Sequence, residues 1–136
     1  MNAYVMDASA LIRYLDDESG AVRVEAIIGE CLAGRAHCLV SAVQWGEVAG
    51  NVRKRFGALL ELKAMNRLLA TDLEIVPVSA EQSVRAADLK VDRRISYADA
   101  FAIDLAMRSD EHVLVTADFG FKAVDSLARI EYLPGK

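Results

Sequence analysis

No apolar stretch of this chain approaches the roughly 18 residues that a membrane-spanning helix requires. The opening MNAYVMDAS has no basic segment leading into a long apolar one, so neither a membrane span nor a secretory leader is expected. Cysteine is scarce: Cys31 and Cys38 stand alone, without C-x-x-C spacing or a second pair, which excludes a disulfide framework or a zinc ribbon. Cys31 falls in the apolar series Val24, Ile27, Ile28, Cys31, Leu32, so both thiols read as small hydrophobes in a reducing cytoplasm. With only two prolines and a hydrophobic fraction of 54%, there is little room for a disordered segment. No G-x-x-x-x-G-K-[ST] occurs, which removes a P-loop nucleotide switch. Nor is there a basic excess. The formal net charge is −4, which argues against a protein that coats nucleic acid by bulk electrostatics.

What is present reads as one α/β domain over residues 1–136. Strand-like runs occur at 3–6, 38–41, 73–78, 113–117 and 129–133, separated by segments of helical spacing. Leu11, Ile12 and Leu15 mark a first helix; Trp45, Val48, Ala49, Val52 and Phe56 mark a third. Residues 58–71 form a fourth, Val84, Ala87 and Val91 indicate a fifth, and Ala102, Ile103 and Ala106 a sixth. Short strands alternating with helices predict a three-layer αβα sandwich with a mostly parallel, roughly five-stranded sheet. There is no internal repeat and no low-complexity tract.

In open α/β sheets a ligand sits beyond the carboxyl ends of the strands. That rule sorts the polar residues. Asp7 and Asp118 directly follow strand-like runs, whereas His37 and His112 directly precede them, so histidine general-base chemistry is not expected. Two further acids join the candidates, Glu47 in SAVQWGEV and Asp99 in ISYADAFAIDLA. Carboxylates gathered at one sheet edge repel each other unless a cation lies among them, and an oxygen-only cluster suits Mg²⁺ or Mn²⁺.

Each acid also has a purely structural reading. Asp7 can cap the helix beginning at Ala8, Asp99 can complete a capping box with Ser96, and Asp118 can cap a short turn over FGF. Glu47 lies about 100° or more from the Trp45/Val48/Val52 stripe, on the face of Val43 and Gly50, and could simply reach Asn51 or Lys54. Asp104 sits about 140° from Asp99 around the helix and has Arg108 four residues on, so an exposed ion pair is expected for it and it is left out of the site.

Taken in order, these segments resemble the PIN domain, in particular the VapC toxins of VapBC toxin–antitoxin pairs. VMDASALI is similar to the family's first strand and D-x-S motif, with Asp7 and Ser9 in place. SAVQWGEV and ISYADAFAIDLA resemble the segments that deliver the second and third acids, here Glu47 and Asp99. VLVTADFGF resembles the T-x-D-x-x-F motif through Thr116, Asp118 and Phe121. The likeness covers nearly the whole chain. Two departures are Asp104, where the family has a small residue, and Trp45, which is bulky enough to shape the entrance to the site.

The resemblance implies a Mg²⁺- or Mn²⁺-dependent endoribonuclease, a homodimer, and a cognate antitoxin that holds it inactive. Asp7 and Asp99 would coordinate directly, Asp118 and Glu47 through water or at a second ion, with Ser9 and Thr116 as orienters. Divalent cations offset the four negative charges and supply an acidified water, so no histidine or lysine base is required. Arg13 and the cluster Arg53, Lys54, Arg55 are candidate contacts to RNA phosphates, or else ordinary solvated charges. Leu59, Leu60, Leu62, Met65, Leu68 and Leu69 cover more than one face of their helix and make it a candidate dimer or antitoxin surface. Two alternatives stay open: an RNA-processing nuclease outside toxin–antitoxin control, and a PIN-like module that binds RNA or protein without cutting. A receiver-like phosphotransfer domain would want paired acids after the first strand and a lysine after the fifth, and neither is present.

Overall fold

The computed structural model describes residues 1–135. Five strands form one sheet: β1 (Ala3–Met6), β2 (His37–Ser41), β3 (Glu74–Val76), β4 (His112–Thr116) and β5 (Arg129–Tyr132). Their order is β3-β2-β1-β4-β5 and every pairing is parallel. Helices α1 (Ala8–Leu15) and α2 (Ala21–Leu32) connect β1 to β2, and α3 (Ala42–Phe56) and α4 (Ala58–Leu69) connect β2 to β3. The chain then returns through α5 (Ala80–Arg93) and α6 (Tyr97–Ala106) to lay β4 on the other side of β1. A 3₁₀ turn, Phe119–Val124, leads into β5.

Because parallel crossovers are right-handed, building outward first to one side and then to the other puts the helices on opposite faces. Strand alternation serves both faces. Met6, Val40 and Val115 face α1–α4 together with Val24, Ile27, Ile28, Val48, Val52 and Leu68. Val5 and Leu114 face α6, where Ala102, Ile103, Leu105 and Phe121 close the other layer. Each fully buried aliphatic side chain contributes about 1.5–3 kcal/mol by leaving water. Both thiols lie in the first layer, buried and unpaired. Burial pushes each of them up from the ordinary thiol range.

Helix starts are set by side-chain acceptors. Asp7, Ser41, Ser79 and Ser96 are the N-caps of α1, α3, α5 and α6, each accepting from a backbone N–H of the first turn. Gly20 opens α2 at φ +92°, and a Cβ there would stand 2.9 Å from Leu133 Cβ, so both backbone and space demand glycine.

The structure departs from the expected face of α5. Gln82 and Ala86 are buried against α6, whereas Val84 and Val91 are exposed. Packing against Ala100 and Phe101 selects the small-residue face, which apolar spacing within one helix does not reveal. On α4, Leu68 is buried and Met65 partly so, while Leu59, Leu60, Leu62 and Leu69 remain exposed. With Leu15, Val52 and Phe56, Leu60 lines a groove of about 320 Å³ between α1, α3 and α4. No helix among the described residues is long and apolar enough to cross a membrane.

Candidate functional site

Strand register brings the first elements of the site together. Met6 pairs with Val115, and the Asp7 N–H donates to Val115 O at 3.3 Å, so Asp7 comes level with Thr116. The switch in strand order falls between β1 and β4, where a doubly wound sheet opens its ligand crevice.

Asp7 is buried, only 2% exposed. Its Oδ1 accepts from the Ala10 N–H at 2.9 Å and from Ser9 Oγ at 2.7 Å. Its Oδ2 accepts from Thr116 Oγ1 at 2.5 Å. Ser9 Oγ in turn accepts from the Ala117 N–H at 2.8 Å, and Thr116 Oγ1 from the Asp118 N–H at 2.9 Å. Capping thus uses one oxygen of Asp7, while Thr116 holds the other. Burial raises its pKa to about 6, against the lowering effect of the Thr116, Ala10 and Ser9 hydrogen bonds, and the negative charge of Asp99 adds to the rise.

Asp99 lies in the first turn of α6, where its N–H donates to Ser96 Oγ at 3.1 Å. Its pKa is also raised, first by burial and then by the charge of Asp118; hydrogen bonds from Ser96 and Gln44 oppose this, and Glu47 adds repulsion. Asp118 caps the 3₁₀ turn, its Oδ1 accepting from the Gly120 N–H at 2.8 Å. A Cβ on residue 120 would sit 2.9 Å from that oxygen, so glycine is what lets the carboxylate take this position. Glu47 lines an open cleft of about 430 Å³ with Ala8, Ile12, Val43, Gly50 and Lys54. Gly46 and Gly50 leave the α3 wall of that cleft low.

Gln44 is the participant that sequence reasoning missed. It is buried, its Oε1 accepts from the Ala8 N–H at 2.7 Å, and its Nε2 donates to Ala98 O at 2.7 Å. One amide thus ties the start of α1 to the start of α6, fixing Asp7 against Asp99. The signal was legible: Gln44 stands four and eight residues before Val48 and Val52, on the inward stripe itself.

The other candidates divide. Arg13 Nη1 donates to Ser19 O at 2.8 Å and Pro134 O at 2.9 Å, tying α1 to the chain beyond β5. Arg53 pairs with Glu61 at 3.2 Å and Arg55 with Asp16 at 2.9 Å, so α3 spends both of these charges locally. Lys54 lines the Glu47 cleft. Trp45 packs against the α1–α4 core and does not line that cleft. Asp104 does pair with Arg108, as spacing suggests, but it is not exposed. It is buried, and Arg85 of α5 grips it with two hydrogen bonds of 2.9 and 3.3 Å, leaving Arg108 at 3.8 Å. His37 and His112 open their strands at the opposite sheet edge.

The donor set fits a divalent cation. It is all oxygen, Asp7 and Asp99 are held above their ordinary range by burial and by the charge of neighbouring acids (Asp99 for the first, Asp118 and Glu47 for the second), and none of the four acids ion-pairs with a Lys or Arg among the described residues. Also among the described residues, no three Asp, Glu, His or Cys side chains close into a ready-made cage.

Fold and site together define a parallel α/β domain with acidic side chains at its switch point. The chain belongs to the PIN domain family, whose model matches residues 4–127. PIN domains are generally nucleases and typically use divalent metals. No curated protein matches the chain. Among solved structures it is similar to VapBC2 from Rickettsia felis bound to a promoter DNA fragment, at 18% identity and TM-score 0.74, covering 97% of this chain and 99% of that one. It is also similar to DNA-bound VapBC from Salmonella typhimurium, at 14% identity and TM-score 0.71, covering 97% and 98%. A toxin–antitoxin complex from Klebsiella pneumoniae gives 16% identity and TM-score 0.70, covering 98% and 99%. At these identities the likeness establishes the fold.

Proposed function

We propose that this chain is a Mg²⁺- or Mn²⁺-dependent endoribonuclease, the toxin of a toxin–antitoxin pair. The observation that carries the reading is the buried Asp7 carboxylate, raised to about 6 and facing further acids, none of which ion-pairs with a Lys or Arg among the described residues. Such a carboxylate is costly to the fold and is repaid by a bound cation. The similarity to toxin–antitoxin complexes supports the biological setting.

In this reading Asp7 and Asp99 hold the ion directly, and Asp118 and Glu47 hold it through water or at a second position. When bound, the ion activates water and stabilises charge on the phosphate. Ser9 and Thr116 fix both Asp7 oxygens, so the carboxylate meets the ion without reorganising. Gln44 holds Asp7 and Asp99 in register. Lys54 is assigned to an RNA phosphate, because Arg53 and Arg55 are engaged with Glu61 and Asp16. The exposed α4 leucines serve the homodimer and antitoxin contacts.

The test is cleavage of a mixed RNA pool by purified chain in Mg²⁺, in EDTA, and with Asp7→Asn or Asp99→Asn in Mg²⁺. Cuts that require both metal and carboxylates are expected. Intact RNA from folded, antitoxin-free protein counts against a general nuclease and favours a binding module or a narrowly selective substrate. Cuts that survive both substitutions overturn the site.

A further inference from the structure

Beside Asp118 stands an exposed ring, Phe119, that belongs to neither core layer. Phe119 directly follows Asp118 and is 47% exposed. It is not a stray surface hydrophobe, because Tyr132 at the end of β5 stacks on it, with ring centroids 5.3 Å apart and planes 10° from parallel. Register explains the meeting: Thr116 pairs with Tyr132, so the chain leaving β4 turns back over the end of β5. Lys122, one 3₁₀ turn on, holds its ammonium 5.3 Å from the Phe119 ring centroid.

Resting on the nuclease reading above, we infer that Phe119, backed by Tyr132 and flanked by Lys122, is a stacking platform for a nucleobase of single-stranded RNA next to the phosphate held by the acidic site. The physical fit is direct. Tyr132 covers one face of the ring and fixes its plane, so little side-chain freedom is lost when a base adds to the other. The cation over the ring is a long, exposed side chain that passes to a neighbouring phosphate as the base arrives. An aromatic face beside a cation is the combination by which single strands are held without a sequence code. It also adds attraction where the four acids alone would repel RNA.

The test is binding of fluorescently labelled oligoadenylate, and of the abasic ribose-phosphate chain of equal length, to the parent protein with its four acids intact, in Ca²⁺ as an oxygen-seeking stand-in for Mg²⁺. With Phe119 intact, oligoadenylate should bind about five- to 150-fold more tightly than the abasic chain. Phe119→Leu should remove that preference and leave the abasic affinity unchanged, while Phe119→Trp should keep it. Lys122→Ala should weaken both ligands alike. A preference that survives Phe119→Leu overturns the platform and leaves the nuclease reading standing. Absence of a preference with Phe119 present overturns it without any reliance on how the variants fold. Failure of either RNA to bind, together with no cleavage of the pool, overturns both readings.

Discussion

Removing the charge of Asp7 should make the metal-free protein more stable above neutral pH. Asp7 is 2% exposed, and burial holds its pKa at about 6 against an ordinary 3.8. Its folded pKa lies above its unfolded one, so ionisation works against the fold. The penalty is absent below the unfolded value, grows as pH rises from about 4 to about 6, and is complete above that. At about 1.4 kcal/mol per pH unit it reaches about 3 kcal/mol. Asp7→Asn deletes it. Asparagine still caps a helix well, and its carbonyl oxygen can keep the Ala10 and Ser9 hydrogen bonds. The Thr116 hydroxyl must turn away from the new amide, which costs about 1 kcal/mol. The variant should therefore gain about 2 kcal/mol over the parent at pH 8 in EDTA, and lose the gain by pH 4. Urea denaturation of both proteins at several pH values measures it. A difference that does not vary between pH 4 and pH 8, or a variant less stable at pH 8, would refute the account of Asp7. Saturating Mg²⁺ should stabilise the parent, by about 2.7 kcal/mol at a hundredfold excess over Kd, and leave the variant nearly unmoved.

The remaining predictions concern residues around that carboxylate and away from it. Gln44→Ala strands the Ala8 N–H and Ala98 carbonyl; it should cost about 1–3 kcal/mol in chemical denaturation and reduce cleavage, and an unchanged protein would remove its bridging role. Thr116→Val deletes a hydrogen bond that holds Asp7 down, so the acid limb of the pH–rate profile should move to higher pH; a static limb would exclude Asp7 as the group titrating there. Asp104→Asn weakens the grip of Arg85 and should cost about 1 kcal/mol in urea denaturation with cleavage intact, whereas lost cleavage at full stability would bring Asp104 into the site. With α4 as the proposed homodimer contact, Leu60→Glu should give monomers in light scattering without unfolding, and an unchanged mass would remove that role from α4.

All five strand-like runs became strands, with boundaries shifted by two residues at most. Their apolar, β-branched stretches are bounded by capping residues that act locally, so short-range chemistry sufficed. Asp7, Asp118 and Asp99 stood out for the same reason, the first two just past strand ends and the third in the first turn of a helix, whereas Glu47 lies inside α3. The inward face of α5 was not visible, because Val84, Ala87 and Val91 make a better apolar stripe than Gln82, Ala86 and Leu89. Close approach to α6 preferred small side chains to hydrophobic ones. Asp104 misled similarly: Arg108 is near in sequence, but Arg85 comes from another helix and has the better geometry.

By itself, the sequence determined the alternation of strands and helices, the caps that start the helices, and the edge of the sheet to which Asp7 and Asp118 belong. These follow from side-chain period and from interactions a few residues long. The tertiary structure alone decided how Asp7 ionises, because desolvation and the charge of Asp99 are set by segments some ninety residues away. It decided that Gln44 bridges two helices, that Phe119 meets Tyr132, and that Arg53 and Arg55 are paired while Lys54 lines the cleft. Each of those depends on distances between residues remote in the chain, which packing fixes and local pattern does not.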